Sequence, residues 1–178
     1  MAVFRSREGE SCVVTGGAGG IGAASASLWL SQGGSVVVAD VDDEAGAAFV
    51  SRCPRGRAVF VHCDTRRRED LQRAIQAARK LGRFTSMFNN AGVGAACDTL
   101  EEALPSWDTL KRMIDINVNA CCLGTYLAIA SFKADGVSKG AVVTTASMAG
   151  LLPVGAPPIF WYGARDGART RAVEVMDV

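Results

Sequence analysis

The residues with the most evident chemistry lie in "VVTGGAGGIG", where an apolar run breaks into a string of glycines. Thr15, Gly16, Gly20, Ile21 and Gly22 fit the spacing T-G-x-x-x-G-x-G, a variant of the fingerprint that seats a dinucleotide pyrophosphate. Glycine serves two steric needs there. The turn takes unusual backbone angles, and a side chain would hold the backbone away from the phosphates. The helix that follows offers free N–H groups and the positive end of its dipole. Asp40 ends the next apolar run, where a carboxylate can accept hydrogen bonds from the ribose hydroxyls of NAD. It would repel the additional phosphate of NADP, and no Arg or Lys adjoins it, so NAD is favoured over NADP. The rival readings are a merely tight turn for the glycines and a helix N-cap for Asp40, although Asp42 or Asp43 could supply that cap instead.

These residues need a strand before the loop, a helix after it and a sheet to hold both. Short apolar runs supply strands at Ser11–Thr15, Ser35–Asp40, Arg57–Asp64 and Gly140–Ser147, with a weaker one in "FTSMFNN". Between them, Gly20–Gln32 reads as a helix of small residues. Leu71, Ala74, Ile75 and Ala78 recur at helical spacing. A long helical stretch covers Ser106 to Phe132, and the tail, including "DGARTRAV", starts a further helix. Alternating β and α elements with continuously apolar strands indicate an α/β fold. The expected form is a doubly wound (Rossmann) parallel sheet with helices on both faces. No linker, repeat or low-complexity segment divides the chain, so residues 1–178 read as a single dinucleotide-binding domain.

Composition narrows the function classes. Apolar residues make up 49% and charged residues 21% of 178 residues, an ordinary globular balance with enough chain for one core. A formal net charge of +1 gives no electrostatic case for nucleic acid or an anionic membrane. The crowd Arg66, Arg67, Arg68, Glu69, Asp70 reads as the solvated start of a helix, because acids follow at once, ahead of a phosphate-binding role. Six cysteines, Cys12, Cys53, Cys63, Cys97, Cys121 and Cys122, form no C-x-x-C pair, which argues against zinc and a disulfide framework. No metal is expected. Thiols in a reducing compartment are the favoured reading. His62 ends an apolar run and reads as a strand-end residue rather than a ligand or base. The N-terminus resembles neither a signal peptide nor a membrane span, and no other apolar run is expected to cross a bilayer. A cytoplasmic protein is the default expectation.

Several motifs in order resemble the short-chain dehydrogenases/reductases, from Cys12 to about Val173. "TGGAGGIG" is similar to that family's cofactor loop. "CDT" places Asp64 like the acid that contacts adenine. "NNAG" places Asn90, Ala91 and Gly92 like the motif that stabilises the sheet and lines the cofactor site. "IDINV" places Asn117 like the asparagine of the catalytic tetrad, and "ASMAG" places Ser147 like the catalytic serine. Within the family, "LGTYLAI" and "SMAGLLPV" are similar to 15-hydroxyprostaglandin dehydrogenases and related NAD-dependent alcohol dehydrogenases. The resemblance implies hydride transfer between nicotinamide and a secondary alcohol or ketone. A tyrosine would move the hydroxyl proton, with its pKa lowered by a neighbouring lysine. Serine would bond the substrate oxygen, and asparagine would hold a water. Self-association through the helix near 106–132 is a further implication. For Ser147 the rival is a plain loop hydroxyl, and for Asn117 a purely structural bond.

The match departs in "PIFWYGARDGARTRAVEVMDV". The family spacing puts the tyrosine near Phe160 or Trp161, whereas the tyrosine is Tyr162. No register gives Tyr-x-x-x-Lys. Asp166 stands where the lysine is expected, and a carboxylate there would raise the tyrosine pKa, the wrong direction. Arg165 is the nearest cation in sequence, with a fork geometry unlike lysine's. Thr85 and Ser86 stand where the family usually has an acid and an apolar residue. The chain is expected to be incomplete at its C-terminus, with the last strands missing. Two readings of function stay open. One is an NAD-dependent oxidoreductase. The other is a dinucleotide-binding remnant or partner subunit without turnover.

Overall fold

The computed structural model describes residues 5–94, 106–146 and 173–174. In chain order the elements are β1 Glu10–Thr15, α1 Gly20–Ser31, β2 Ser35–Asp40, α2 Asp43–Ser51, β3 Ala58–His62, α3 Arg68–Leu81 and β4 Arg83–Asn89. They continue with α4 Trp107–Ile114, one π-helical turn Asp115–Asn119, α5 Ala120–Ala134, β5 Ala141–Thr144 and β6 Val173–Glu174. The strands form one sheet in the order β3-β2-β1-β4-β5-β6. The pairs from β3 to β5 are all parallel.

The continuous apolar strands are continuous because helices cover both sheet faces. Along β1 and β2, Val13, Val37 and Ala39 join one core with Leu71, Ala74, Phe84, Met87, Leu127 and Phe132. Their neighbours Cys12, Val14, Val36 and Val38 join a second core with Ala26, Leu30 and Phe49. The period of two thus splits each strand between two helical layers. The strand order reverses between β1 and β4, and both strands end on the same edge. That is the switch point where an open α/β sheet leaves a crevice.

Close approach fixes α5 against β4. A Cβ on Gly124 would lie 2.3 Å from Asn89 Oδ1, and Asn89 Nδ2 donates to Thr125 Oγ1 at 3.1 Å. Asn89 is therefore held from α5, at the end of the strand that opens the crevice.

Four expectations are corrected. The long helix is not regular, since the turn Asp115–Asn119 is π-helical and divides α4 from α5. An apolar stretch of bilayer length does exist. Trp107–Ala134 has an 18-residue window of mean hydropathy 1.4. Leu127, Ala128 and Phe132 on it are buried in the core, while 33% of the window as a whole is buried. Val173 does not continue a helix. It pairs antiparallel with Val143, and Glu174 with Val142, covering the edge that β5 would otherwise present. The arginine-rich start of α3 is also not uniformly solvated, because Asp70 is only 2% exposed.

Candidate functional site

The glycine loop joins β1 to α1 at the crevice. Gly16 has φ +62° and Gly20 φ +52°, conformations that favour glycine. A Cβ on Gly22 would sit 2.1 Å from Gly16 O, so glycine is also required where the loop folds back on its own helix. Gly19 and Gly20 have the opposite surroundings, with nothing within 4 Å of an added Cβ. The α1 N-cap, Gly19, makes no side-chain cap bond, which leaves the first helical N–H groups uncapped by protein side chains.

Next to this loop is a cavity of about 640 Å³. Gly16, Gly19, Gly20 and Ile21 form one wall, Asp40 and Val41 a second, and Cys63, Asp64, Thr65 and Arg66 a third. Asn90 to Gly94 form the floor, and Arg112, Ile116, Thr145 and Ala146 close the remaining side. Of the residues singled out in the sequence, Gly16, Gly20, Ile21, Asp40, Asp64, Asn90, Ala91 and Gly92 line it. Thr15, Gly22 and Asn117 do not line it and instead hold its walls.

Thr15 Oγ1 accepts the N–H groups of Asn90 at 3.0 Å and Ala91 at 3.1 Å, and donates to Phe88 O at 3.3 Å. Asn90 Nδ2 donates to Thr15 O at 3.1 Å and Gly16 O at 3.2 Å, and its Oδ1 accepts from Thr145 Oγ1 at 2.9 Å. One threonine and one asparagine therefore lock the ends of β1, β4 and β5 together. Asn117 lies in the π-helical turn and is fully buried. Its side chain bonds both backbone groups of Val93, the structural bonding that stood as the rival reading.

Asp40 lies where β2 ends. Its carboxylate accepts from Ala18 N at 3.0 Å, Val41 N at 2.8 Å and Asp42 N at 3.2 Å. An ionised carboxylate has about four acceptor sites, so capacity for a ligand hydroxyl is left. The N-cap of α2 is Asp42, which accepts from Ala45 N at 2.9 Å. Asp64 is paired with Arg66, whose Nε lies 2.9 Å from Oδ1 and 3.1 Å from Oδ2. Hydrogen bonding to the Arg66 guanidinium holds the Asp64 carboxyl below the usual carboxylate range. Burial pushes the Cys63 thiol up to about 12, which keeps it protonated in the cavity wall.

Sequence reading missed three features of this site. Arg66 is exposed, in keeping with a solvated helix start, and it also lines the cavity on Asp64, which its sequence setting does not signal. Arg112 in α4 and Ile116 in the π-helical turn carry no motif, yet both line the cavity. Val93 carried no signal beyond its place after "NNAG". Ser147, Tyr162, Arg165 and Asp166 lie outside the described residues, as does Cys97. Among the described residues no group of His, Cys, Asp and Glu could hold a metal.

The residues fit a dinucleotide by the chemistry of the donor set. An uncapped helix N-terminus opens through two side-chain-free glycines, and carboxylates stand at the ends of the next two strands. Comparison with known proteins agrees. A model of the short chain dehydrogenase family matches residues 10–169. Momilactone A synthase of Oryza sativa subsp. japonica is 36% identical over 146 residues, covering 81% of this chain and 52% of that protein. A 2,5-dichloro-2,5-cyclohexadiene-1,4-diol dehydrogenase of Sphingobium indicum is 37% identical over 147 residues, covering 82% of this chain and 57% of that one. The 3-ketoacyl-(acyl-carrier-protein) reductase of Brucella melitensis, solved with NADH, superposes with a TM-score of 0.80 at 27% identity. It covers 91% of this chain and 66% of its own. The chain spans about half the length of the curated relatives it matches. The loop, the sheet order and these similarities lead to one assignment: this chain belongs to the short-chain dehydrogenase family.

Proposed function

We propose that this chain forms the cofactor-binding part of an NAD(P)-dependent oxidoreductase that moves hydride between nicotinamide and a secondary alcohol or ketone. The observation that carries the reading is the convergence of Gly19, Gly20, Asp40 and Asp64 on one cavity. Bound there, the cofactor supplies the hydride chemistry. The protein binds and orients it: the first-turn N–H groups of α1 face the phosphates, and Asp40 faces the ribose. Among the described residues the groups bonded to Asp40 are the N–H groups of Ala18, Val41 and Asp42, none of them a cation for a further phosphate, which supports NAD over NADP. Titration of intrinsic fluorescence with NADH and NADPH tests this. Saturable NADH binding, with NADPH weaker by about tenfold, is expected; no saturation with either sinks the reading.

In this reading Ser147 bonds the substrate oxygen, Tyr162 moves the proton with Arg165 as its nearest cation, and Asn117 belongs to the same tetrad. A second reading, a dinucleotide-binding chain without turnover, is favoured by Asp166 standing four residues after Tyr162. An alcohol panel assayed with Tyr162→Phe separates them, since activity indifferent to that change removes Tyr162 from the chemistry. Self-association through α4 and α5 is part of the proposal. It is supported by Trp107, Ile114 and Tyr126, which are 74%, 47% and 62% exposed, and sedimentation velocity tests it. The free thiols of Cys12, Cys53, Cys63, Cys121 and Cys122 support a cytoplasmic setting.

A further inference from the structure

Asp70 is a buried carboxylate that no part of the proposed function uses. It lies in the first turn of α3, behind the wall that carries Asp64, Thr65 and Arg66, and is 2% exposed. Its Oδ2 accepts the Asp64 N–H at 3.0 Å. Its Oδ1 makes no aligned hydrogen bond but sits 3.0 Å from Arg73 Nη2 and 3.7 Å from Arg67 Nε. These two exposed guanidiniums offset its charge. Burying a carboxylate is costly even where guanidiniums face it, so its place here needs a reason beyond packing.

That reason lies in the turn it closes. Arg67 N donates to Asp64 O at 2.8 Å, and Arg66 N donates to Asp64 Oδ1 at 3.1 Å. Just before the turn, Cys63 N donates to Asp40 O at 2.8 Å, tying this wall to the wall of Asp40. The Asp64 N–H bond to Asp70 ties the turn's own backbone to α3, beside the Arg67–Asp70 ion pair and the bond from Arg73 Nη2 to His62 O at 3.4 Å. We propose that Asp70 is a positioning residue for the adenosine half of the ligand. Its carboxylate fixes the Asp64 backbone from behind, so that Asp64, Thr65 and Arg66 meet the ligand in one arrangement. The inference rests on the dinucleotide reading of the cavity, and the binding of ADP and inorganic pyrophosphate distinguishes the two.

The experiment measures binding of NADH, ADP and pyrophosphate to the full chain and to Asp70→Ala, Asp70→Ser and Asp70→Asn, below the melting temperature of each. Wild type binds NADH and ADP. Asp70→Ala weakens both by about tenfold, the loss of one hydrogen bond to a charged acceptor, while pyrophosphate binding at the glycine loop changes by less than about twofold. Asp70→Asn keeps an acceptor for the Asp64 N–H and recovers ADP affinity to within about threefold of wild type. Asp70→Ser, too short to reach, behaves like Asp70→Ala and stands in for it should that variant not fold. Equal weakening of ADP and pyrophosphate, or ADP binding untouched in both Asp70→Ala and Asp70→Ser, overturns the positioning role and leaves the dinucleotide reading intact. Failure of the wild-type chain to bind NADH or ADP overturns the dinucleotide reading itself, and this inference with it.

Discussion

The side chain of Asn117 holds the backbone of Val93 at both ends: the Val93 N–H donates to Asn117 Oδ1 at 2.8 Å, and Asn117 Nδ2 donates to Val93 O at 2.8 Å. The pair joins the π-helical turn to the loop that floors the cavity. Asn117→Ala removes both bonds from a fully buried site and is expected to cost about 2 kcal/mol of stability. Asn117→Asp keeps the acceptor but puts a carboxylate oxygen against Val93 O, and it should cost at least as much. Urea denaturation measures both, and a change within about 0.5 kcal/mol in Asn117→Ala would refute the structural weight given to this pair.

Two glycines of the loop should separate folding from binding. Gly22→Ala puts a methyl 2.1 Å from Gly16 O, a backbone atom that cannot yield cheaply, so about 1–3 kcal/mol of stability is lost. Gly19→Ala meets nothing within 4 Å, and its φ of −144° suits any residue. Its stability should stay within about 0.5 kcal/mol, while its methyl stands in the cavity and lowers NADH affinity. Paired thermal melts and NADH titrations give the contrast. NADH affinity equal to wild type in Gly19→Ala would show that the ligand does not approach this backbone.

Thr15→Val keeps the shape of the side chain and removes the acceptor for Asn90 N–H and Ala91 N–H. Thr15 is 2% exposed, so water does not readily replace the hydroxyl. A loss of about 2 kcal/mol is expected. Thr15→Ser retains the hydroxyl and should cost less than half as much. Equal loss in the two variants would mean that packing of the methyl, not the hydrogen bonds, dominates at this position.

Burial pushes the thiols of Cys12 and Cys63 up to about 12. A raised thiol pKa means that the folded state favours the neutral form. The contribution to stability is therefore complete below the ordinary thiol pKa and is lost as pH rises through the folded value. At pH 8 the reactive thiolate is scarce at both positions. A thiol reagent should modify exposed Cys122 first, and Cys12 and Cys63 only after denaturant is added. Mass spectrometry of digested protein locates the labels, and prompt labelling of Cys12 in the native chain would contradict its burial.

The Asp64 carboxyl is held low chiefly by Arg66, and a lowered acid pKa has the opposite sign. Its stabilising effect is present above the unfolded pKa and is lost as pH falls through the folded one. Arg66→Ala should move the Asp64 carboxyl back up toward the ordinary carboxylate range, as followed by carboxyl carbon NMR shifts. An unchanged titration would mean that the pair does not form in solution.

Much of the site could be read from neighbouring residues alone. Gly16, Gly20 and Gly22 announce themselves because a left-handed turn and a close backbone approach exclude side chains locally. Asp40 is legible because an apolar run of period-independent residues must end where the sheet edge meets solvent. Asn90, Ala91 and Gly92 follow β4 and line the cavity, a position that resemblance, not local pattern, suggests. The π-helical turn left no mark in "IDINV", and the two bonds of Asn117 to Val93 join segments that are distant in sequence.

The amino-acid sequence by itself determined the parallel α/β sheet and the glycine loop between β1 and α1. Those features follow from hydrophobic periodicity and from steric limits acting over a few residues. Tertiary structure decided which charges face the cavity. Arg66 turns onto Asp64, Arg112 reaches the cavity from α4, and Asp70 is buried behind the turn although it follows three arginines. It also decided that β6 pairs with β5 in place of a helix at Val173. Each of these depends on which distant segment arrives alongside. Hydrogen bonding and desolvation act on the groups that meet after the chain has closed its loops, and no local pattern records that meeting.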